Sequence, residues 1–118
     1  MSEVKRATRV AERLRQELST ALRDLRDPRL DGVLVTRVEV TDDLQAARVF
    51  VRRQLGFDAA AVKAALKGLG GAQKRLRRAV AQALALRSVP TLRFFYDEAP
   101  DAVSRIEELL IEVKQGGG

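Results

Sequence analysis

Eight cationic side chains, Lys63, Lys67, Lys74, Arg75, Arg77, Arg78, Arg87 and Arg93, lie between Asp58 and Asp97 with no acid among them. Four of them, Lys74, Arg75, Arg77 and Arg78, fall within one short stretch. Cations at this density, without counter-charges, can neutralise phosphates, and phosphate neutralisation is the sequence-independent part of nucleic-acid affinity. A solubilising basic face is the plainer reading. An ordinary solvated helix mixes signs, however, because opposite charges three or four residues apart stabilise it. A stretch that forgoes every such pair favours a phosphate-binding surface.

Immediately before the cluster stands Gly68-Leu69-Gly70-Gly71. Glycine lets a backbone approach phosphate closely, and the amides at a helix start face an anion. A G-x-x-G between two helices, after a hairpin, is where KH modules clamp nucleic-acid backbone. Here its middle residues are Leu69 and Gly70 rather than basic ones, and the same segment also reads as a simple break between helices. Phe50 between Arg48 and Arg52, and Phe95 beside Arg93, have the composition of a base-stacking platform. The reading adopted for both rings is that they cover an open sheet face or pack under another element.

Other chemistries find little support. The chain has no Cys and no His, which excludes disulfides, thiol chemistry, Cys/His zinc sites and imidazole acid–base catalysis. Asp42-Asp43 is a carboxylate pair, but it falls where a turn uses Asp for backbone hydrogen bonds. Glu107 and Glu108 are adjacent on a helix and so do not share a face. There is no Walker-type loop and no G-x-S-x-G. No enzymatic activity, cofactor, metal or small-molecule substrate is expected.

The elements that must position these residues follow from periodicity. Val10, Leu14, Leu18, Ala21, Leu22 and Leu25 form one apolar stripe of a helix over about 4–26, which Asp27-Pro28 stops. Arg6, Arg9 and Arg13 fall largely off that stripe and are further candidates for RNA contact. Residues 33–40 and 46–52 are β-branched and alternate, with Thr41-Asp42-Asp43 as the turn of a hairpin. Asp58 is placed to cap a helix over about 59–69 with Val62, Leu66 and Leu69 on its apolar edge. Helical spacing resumes over 72–86, with Leu76, Ala79, Val80, Ala83 and Leu84 inward. Pro90 precedes a strand at 91–96, with Leu92, Phe94 and Tyr96 on one face and Arg93 and Phe95 on the other. Asp101 starts a last helix whose stripe is Val103, Ile106, Leu110 and Val113. The order α-β-β-α-α-β-α predicts one α+β domain, residues 1–115, with helices on one face of a three-stranded sheet. Gly116-Gly117-Gly118 is expected to be a flexible tail. At 118 residues, 46% apolar and 32% charged, with net charge +6, the chain suits one globular domain with an anionic partner. Neither a signal peptide nor a membrane span is evident, so a cytoplasmic location is expected, and a monomer is expected because nothing demands an oligomer.

Several segments together resemble the ribosome-binding factor A family of bacterial small-subunit maturation factors, over about 6–113. They are Arg6-Ala7-Thr8-Arg9-Val10-Ala11, Asp27-Pro28-Arg29-Leu30, Asp43-Leu44 with Ala47-Arg48-Val49-Phe50-Val51, and Arg77, Leu86-Arg87 and Val89-Pro90 with Leu92, Phe94 and Asp97. The resemblance implies a KH-like (type II) fold whose helix–kink–helix carries Ala-x-Gly. That motif falls at Ala72-Gln73-Lys74, where lysine replaces the glycine, and Gly70-Gly71 would supply the kink instead. It implies binding to the immature 30S subunit and its 16S rRNA, assisting late maturation and rRNA processing without catalysis. RNA contact is expected at Lys74, Arg75, Arg77, Arg78, Gly70 and Gly71, aided by Arg6, Arg9 and Arg13. The alternative is a stand-alone KH-like binder of single-stranded RNA or DNA.

Overall fold

The computed structural model describes residues 3–54 and 58–98. Helix α1 spans Glu3–Asp24. Its buried line is Ala7, Ala11, Leu14, Leu18 and Leu22, with Val10, Ala21 and Leu25 packed at the margin. The two alanines extend the expected stripe toward the N-terminus. Asp27 then caps a single 3-10 turn, Pro28–Leu30, by accepting a hydrogen bond from the Arg29 amide, and Leu30 is buried. Gly32 adopts φ 75°, a left-handed conformation suited to glycine, and turns the chain into β1.

Strands β1 (Val33–Val40) and β2 (Ala46–Arg53) form the expected antiparallel hairpin. The Asp43 carboxylate closes its turn by accepting from the Thr41 hydroxyl at 2.6 Å and the Gln45 amide at 3.0 Å. The Thr41 bond holds the Asp43 carboxyl below the usual carboxylate range. This aspartate therefore serves the turn, as its position suggested. The β1–β2 register shifts between Val35 and Arg37. That bulge puts Val33, Val35 and Val38 on the core face and Arg37 and Glu39 on the other.

Helix α2 spans Ala59–Gly71 and α3 spans Gln73–Leu84. Asp58 caps α2 as expected, accepting from the Ala61 amide at 2.9 Å. After α3, Ala85 turns left-handed with φ 50° and leads through buried Pro90 into β3, Thr91–Tyr96. Sheet order is β1-β2-β3, with β3 parallel to β2. A parallel pair needs a long crossover, and the two helices supply it. The helices lie on one face of the sheet. Leu14 and Leu18 of α1, Leu69 of α2, Leu76 and Val80 of α3 meet Val49, Val51 and Leu92 there, all at 2% exposure or less. Ala83, expected inward, is exposed. The α-β-β-α-kink-α-β order of the KH-like expectation is thus present. The expected helix from Asp101, with its apolar stripe and glutamates, and the tail 116–118 lie outside the described residues.

Candidate nucleic-acid interface

The junction of α2 and α3 differs from its expected form. Helix α2 does not break at Gly68–Gly71 but continues through all four residues. One residue, Ala72, makes the kink, with φ −92° and ψ 2°. Its amide donates to the carbonyls of Gly68 and Leu69, both at 3.1 Å, and its own carbonyl accepts from the Leu76 amide at 3.0 Å. Ala72 thereby ends one helix and begins the next. This backbone conformation is open to any L-residue, so the kink needs neither Gly70 nor Gly71 for conformational freedom. Ala72 is also the first residue of Ala72-Gln73-Lys74, and Lys74 stands exposed in the first turn of α3.

The glycines have different tasks. A Cβ on Gly68 would lie 3.2 Å from Leu30 Cδ2 and 3.4 Å from both Arg29 Nε and Asp27 Oδ2. Gly68 is therefore the close-approach point between α2 and the Pro28–Leu30 turn. A Cβ on Gly70 or Gly71 would meet nothing within 4 Å. Those two residues present bare backbone to solvent beside the cationic cluster.

A concavity of about 300 Å³ opens at this junction. Its walls are Leu25 and Arg26 just beyond the end of α1, Asp27, Arg29 and Leu30 of the turn, and Gly68, Gly71, Ala72 and Arg75 of the kink. Asp27 is its one acid, and Arg29 occupies it: Arg29 Nη2 lies 2.6 Å and Nε 3.0 Å from the carboxylate oxygens. The Arg29 side chain, followed by its backbone amide, lowers the Asp27 pKa. The clamp therefore persists above the ordinary carboxylate range and is lost only as pH falls through the lowered value. Arg26 and Arg75 are exposed and make no ion pair among the described residues.

Helix α3 directs the predicted cluster unevenly. Leu76 and Val80 face the core, so Lys74, Arg75 and Arg78 stand exposed on the outer side. Arg77 turns to the helix edge. It is half-buried, and its Nη2 donates to the Val89 carbonyl at 3.0 Å. This bond braces α3 against the segment entering β3, and the bond from the Gln73 side chain to the Leu92 carbonyl braces it against β3 itself. The start of α3 has no side-chain cap and no acid in its first turn. An anion there would meet both the helix dipole and the added cations.

Arg6, Arg9 and Arg13 are exposed but are not brought to the kink. The end of α1 adjoins the start of α3 through the shared concavity. At 1.5 Å per residue, Arg6 lies about 25 Å along α1 from Arg23 near that end. These three arginines form a separate cationic strip. Conversely, sequence reading did not single out Arg26 and Arg29 as site residues. The only signal was their position around Asp27-Pro28, which was assigned to stopping the helix. Among the described residues no cluster of metal-ligating side chains occurs, and no helix is long and apolar enough to cross a membrane.

Comparison with known proteins agrees with this geometry. The family model for ribosome-binding factor A matches residues 6–110. A ribosome-binding factor A from Sorangium cellulosum (strain So ce56) is 69% identical over 114 residues, spanning 96% of this chain and 92% of that protein. The crystal structure of ribosome-binding factor A from Thermus thermophilus superposes with a TM-score of 0.67 at 27% identity, covering 76% of this chain and 94% of that one. A homology model of the Thermus thermophilus protein, fitted into a cryo-EM map of its complex with the 30S particle, gives a TM-score of 0.60 at 29% identity, covering 73% of this chain and 89% of that one. The helix–kink–helix, the sheet order and these matches have one common source: the chain belongs to the ribosome-binding factor A family.

Proposed function

We propose that this chain binds the immature small ribosomal subunit through rRNA backbone held at the α2–α3 kink, and that it assists late maturation by favouring one rRNA conformation. The observation that carries this reading is the convergence of Arg26 and Arg75 on a concavity whose one acid is already clamped by Arg29, with Lys74 and Arg78 exposed beside Arg75 on the outer side of α3. Gly70 and Gly71 leave room for backbone to approach. The Thermus relative fitted into a 30S complex supports the choice of partner. Binding free energy would shift a population of rRNA conformers without breaking bonds. Phosphate contacts position without specifying sequence, so the shape of the subunit provides the specificity.

The test is the salt dependence of binding to purified immature subunits. If three or four phosphates are neutralised, log affinity should fall against log salt with a slope of roughly −2 to −3. A flat response would place the contacts on ribosomal protein and overturn the reading. Short oligonucleotides bound as tightly as subunits would select the stand-alone binder of single strands instead.

A further inference from the structure

Among the described residues, the two large apolar side chains left exposed are Leu34 and Phe95, at 46% and 40%. Both lie on the open face of the sheet, opposite the helices. The register aligns side chains there in rows across the three strands. Arg37, Phe50 and Phe95 form one row, and Glu39, Arg48 and Arg93 the next. The rings of Phe50 and Phe95 stack with centroids 5.6 Å apart and planes at 30°. The Arg37 guanidinium lies over Phe50, 4.1 Å from its centroid. The rows are two residues apart along each strand, about 7 Å.

Cross-strand packing accounts for Phe50, which is half-buried between Arg37 and Phe95. It does not account for the outer surface of Phe95. Nor does it account for Arg93, which is exposed and makes no ion pair among the described residues. Glu39 is the one acid in the two rows, and its contacts to Arg37 and Arg48 are long, at 3.6 and 3.9 Å.

We propose that this face is a second nucleic-acid site. It takes single-stranded RNA, with bases stacked on Phe95 and on the Arg37–Phe50 pair and phosphates against Arg48 and Arg93. The proposal rests on RNA being the ligand of the chain, but it uses residues on the side of the molecule away from the kink. Aromatic rings and guanidinium planes both stack on bases, and every base has such a face. A partner protein would need anions to match these arginines and an aromatic or apolar surface for Phe95. Single-stranded RNA supplies both in every nucleotide.

The probe is fluorescein-labelled hexaadenylate RNA, followed by anisotropy with the intact chain. The kink is silenced first by Lys74→Glu, Arg75→Glu and Arg78→Glu together. Hexaadenylate should still bind that variant. Adding Phe95→Leu keeps an apolar side chain but removes the ring, and should weaken binding about tenfold. Adding Arg93→Gln instead, a change at an exposed position, should weaken binding and make the salt slope shallower by roughly 1. Unchanged circular dichroism spectra would accompany both. The proposal is overturned if the silenced variant does not bind hexaadenylate, or if neither added change affects it. It is likewise overturned if Phe95→Leu weakens subunit binding alone, which would assign the face to a protein. Retained subunit binding by the silenced variant would count against the kink and not against this face.

Discussion

Replacing Lys74, Arg75 and Arg78 together by Glu should reduce affinity for immature small subunits by at least about a hundredfold at 0.1 M salt, where charges are screened over about 10 Å. The fold should not suffer. All three side chains are exposed, and they occupy the first two turns of α3, where cations oppose the helix dipole. Glutamates at positions 74 and 75, in the first turn, would be favourable by about 0.3–1 kcal/mol each. The variant should therefore melt at or above the wild-type temperature while losing its ligand. Arg77→Gln is the opposite control. It removes a donor from the Val89 carbonyl, so it should cost about 1–2 kcal/mol of stability and change subunit affinity little. Co-sedimentation and thermal melts on both variants check the pair of outcomes. Equal binding by the triple variant and wild type would exclude the kink as the contact.

Gly68→Leu carries the second large effect. A Cβ at this position already meets Leu30 Cδ2 tightly, at 3.2 Å, and touches Arg29 and Asp27 at 3.4 Å, and three further carbons would have to enter the α2–turn contact. Overpacking of this kind costs about 1–3 kcal/mol. It would also push Asp27–Leu30 away from the kink, opening the concavity that Arg26 and Arg75 share. Stability and subunit binding should fall together. Gly70→Ala should separate them. Its Cβ meets nothing within 4 Å, and alanine in a helix is favoured over glycine by up to about 1 kcal/mol, so melting should rise. Binding should weaken because a methyl group stands where RNA backbone approaches. Chemical denaturation of the two variants, beside subunit binding, distinguishes these outcomes.

The elements were legible in the sequence because each has one dominant period. The leucines of α1 recur at helical spacing, and Ala47, Val49 and Val51 alternate against Arg48 and Phe50. Proline and aspartate marked the ends that they cap. The kink was not legible in the same way. Glycine is a breaker by propensity, yet α2 runs through Gly68, Gly70 and Gly71. At Gly68 a tertiary contact requires the missing side chain, and the turn falls instead on an alanine that any propensity scale places inside a helix. Arg77 looked identical to its neighbours, because its partner is a carbonyl 12 residues away. Arg26 belongs to the site only through packing of the α1 end against the kink. Alternation puts Phe50 and Phe95 opposite the core-facing residues of their strands but leaves open whether they cover an open sheet face or pack under another element, and their stacking depends on a β2–β3 register that sequence does not contain.

The absence of cysteine permits a direct measurement of where RNA lies. Gln82 is exposed one helical turn beyond Arg78 on α3. Gln82→Cys, carrying a tethered iron–EDTA group and bound to immature small subunits, would release hydroxyl radicals beside the kink. Discrete cuts in the small-subunit rRNA, lost when Lys74, Arg75 and Arg78 are reversed, are the expected result. Intact rRNA around a demonstrably bound protein would contradict the placement of backbone at the kink.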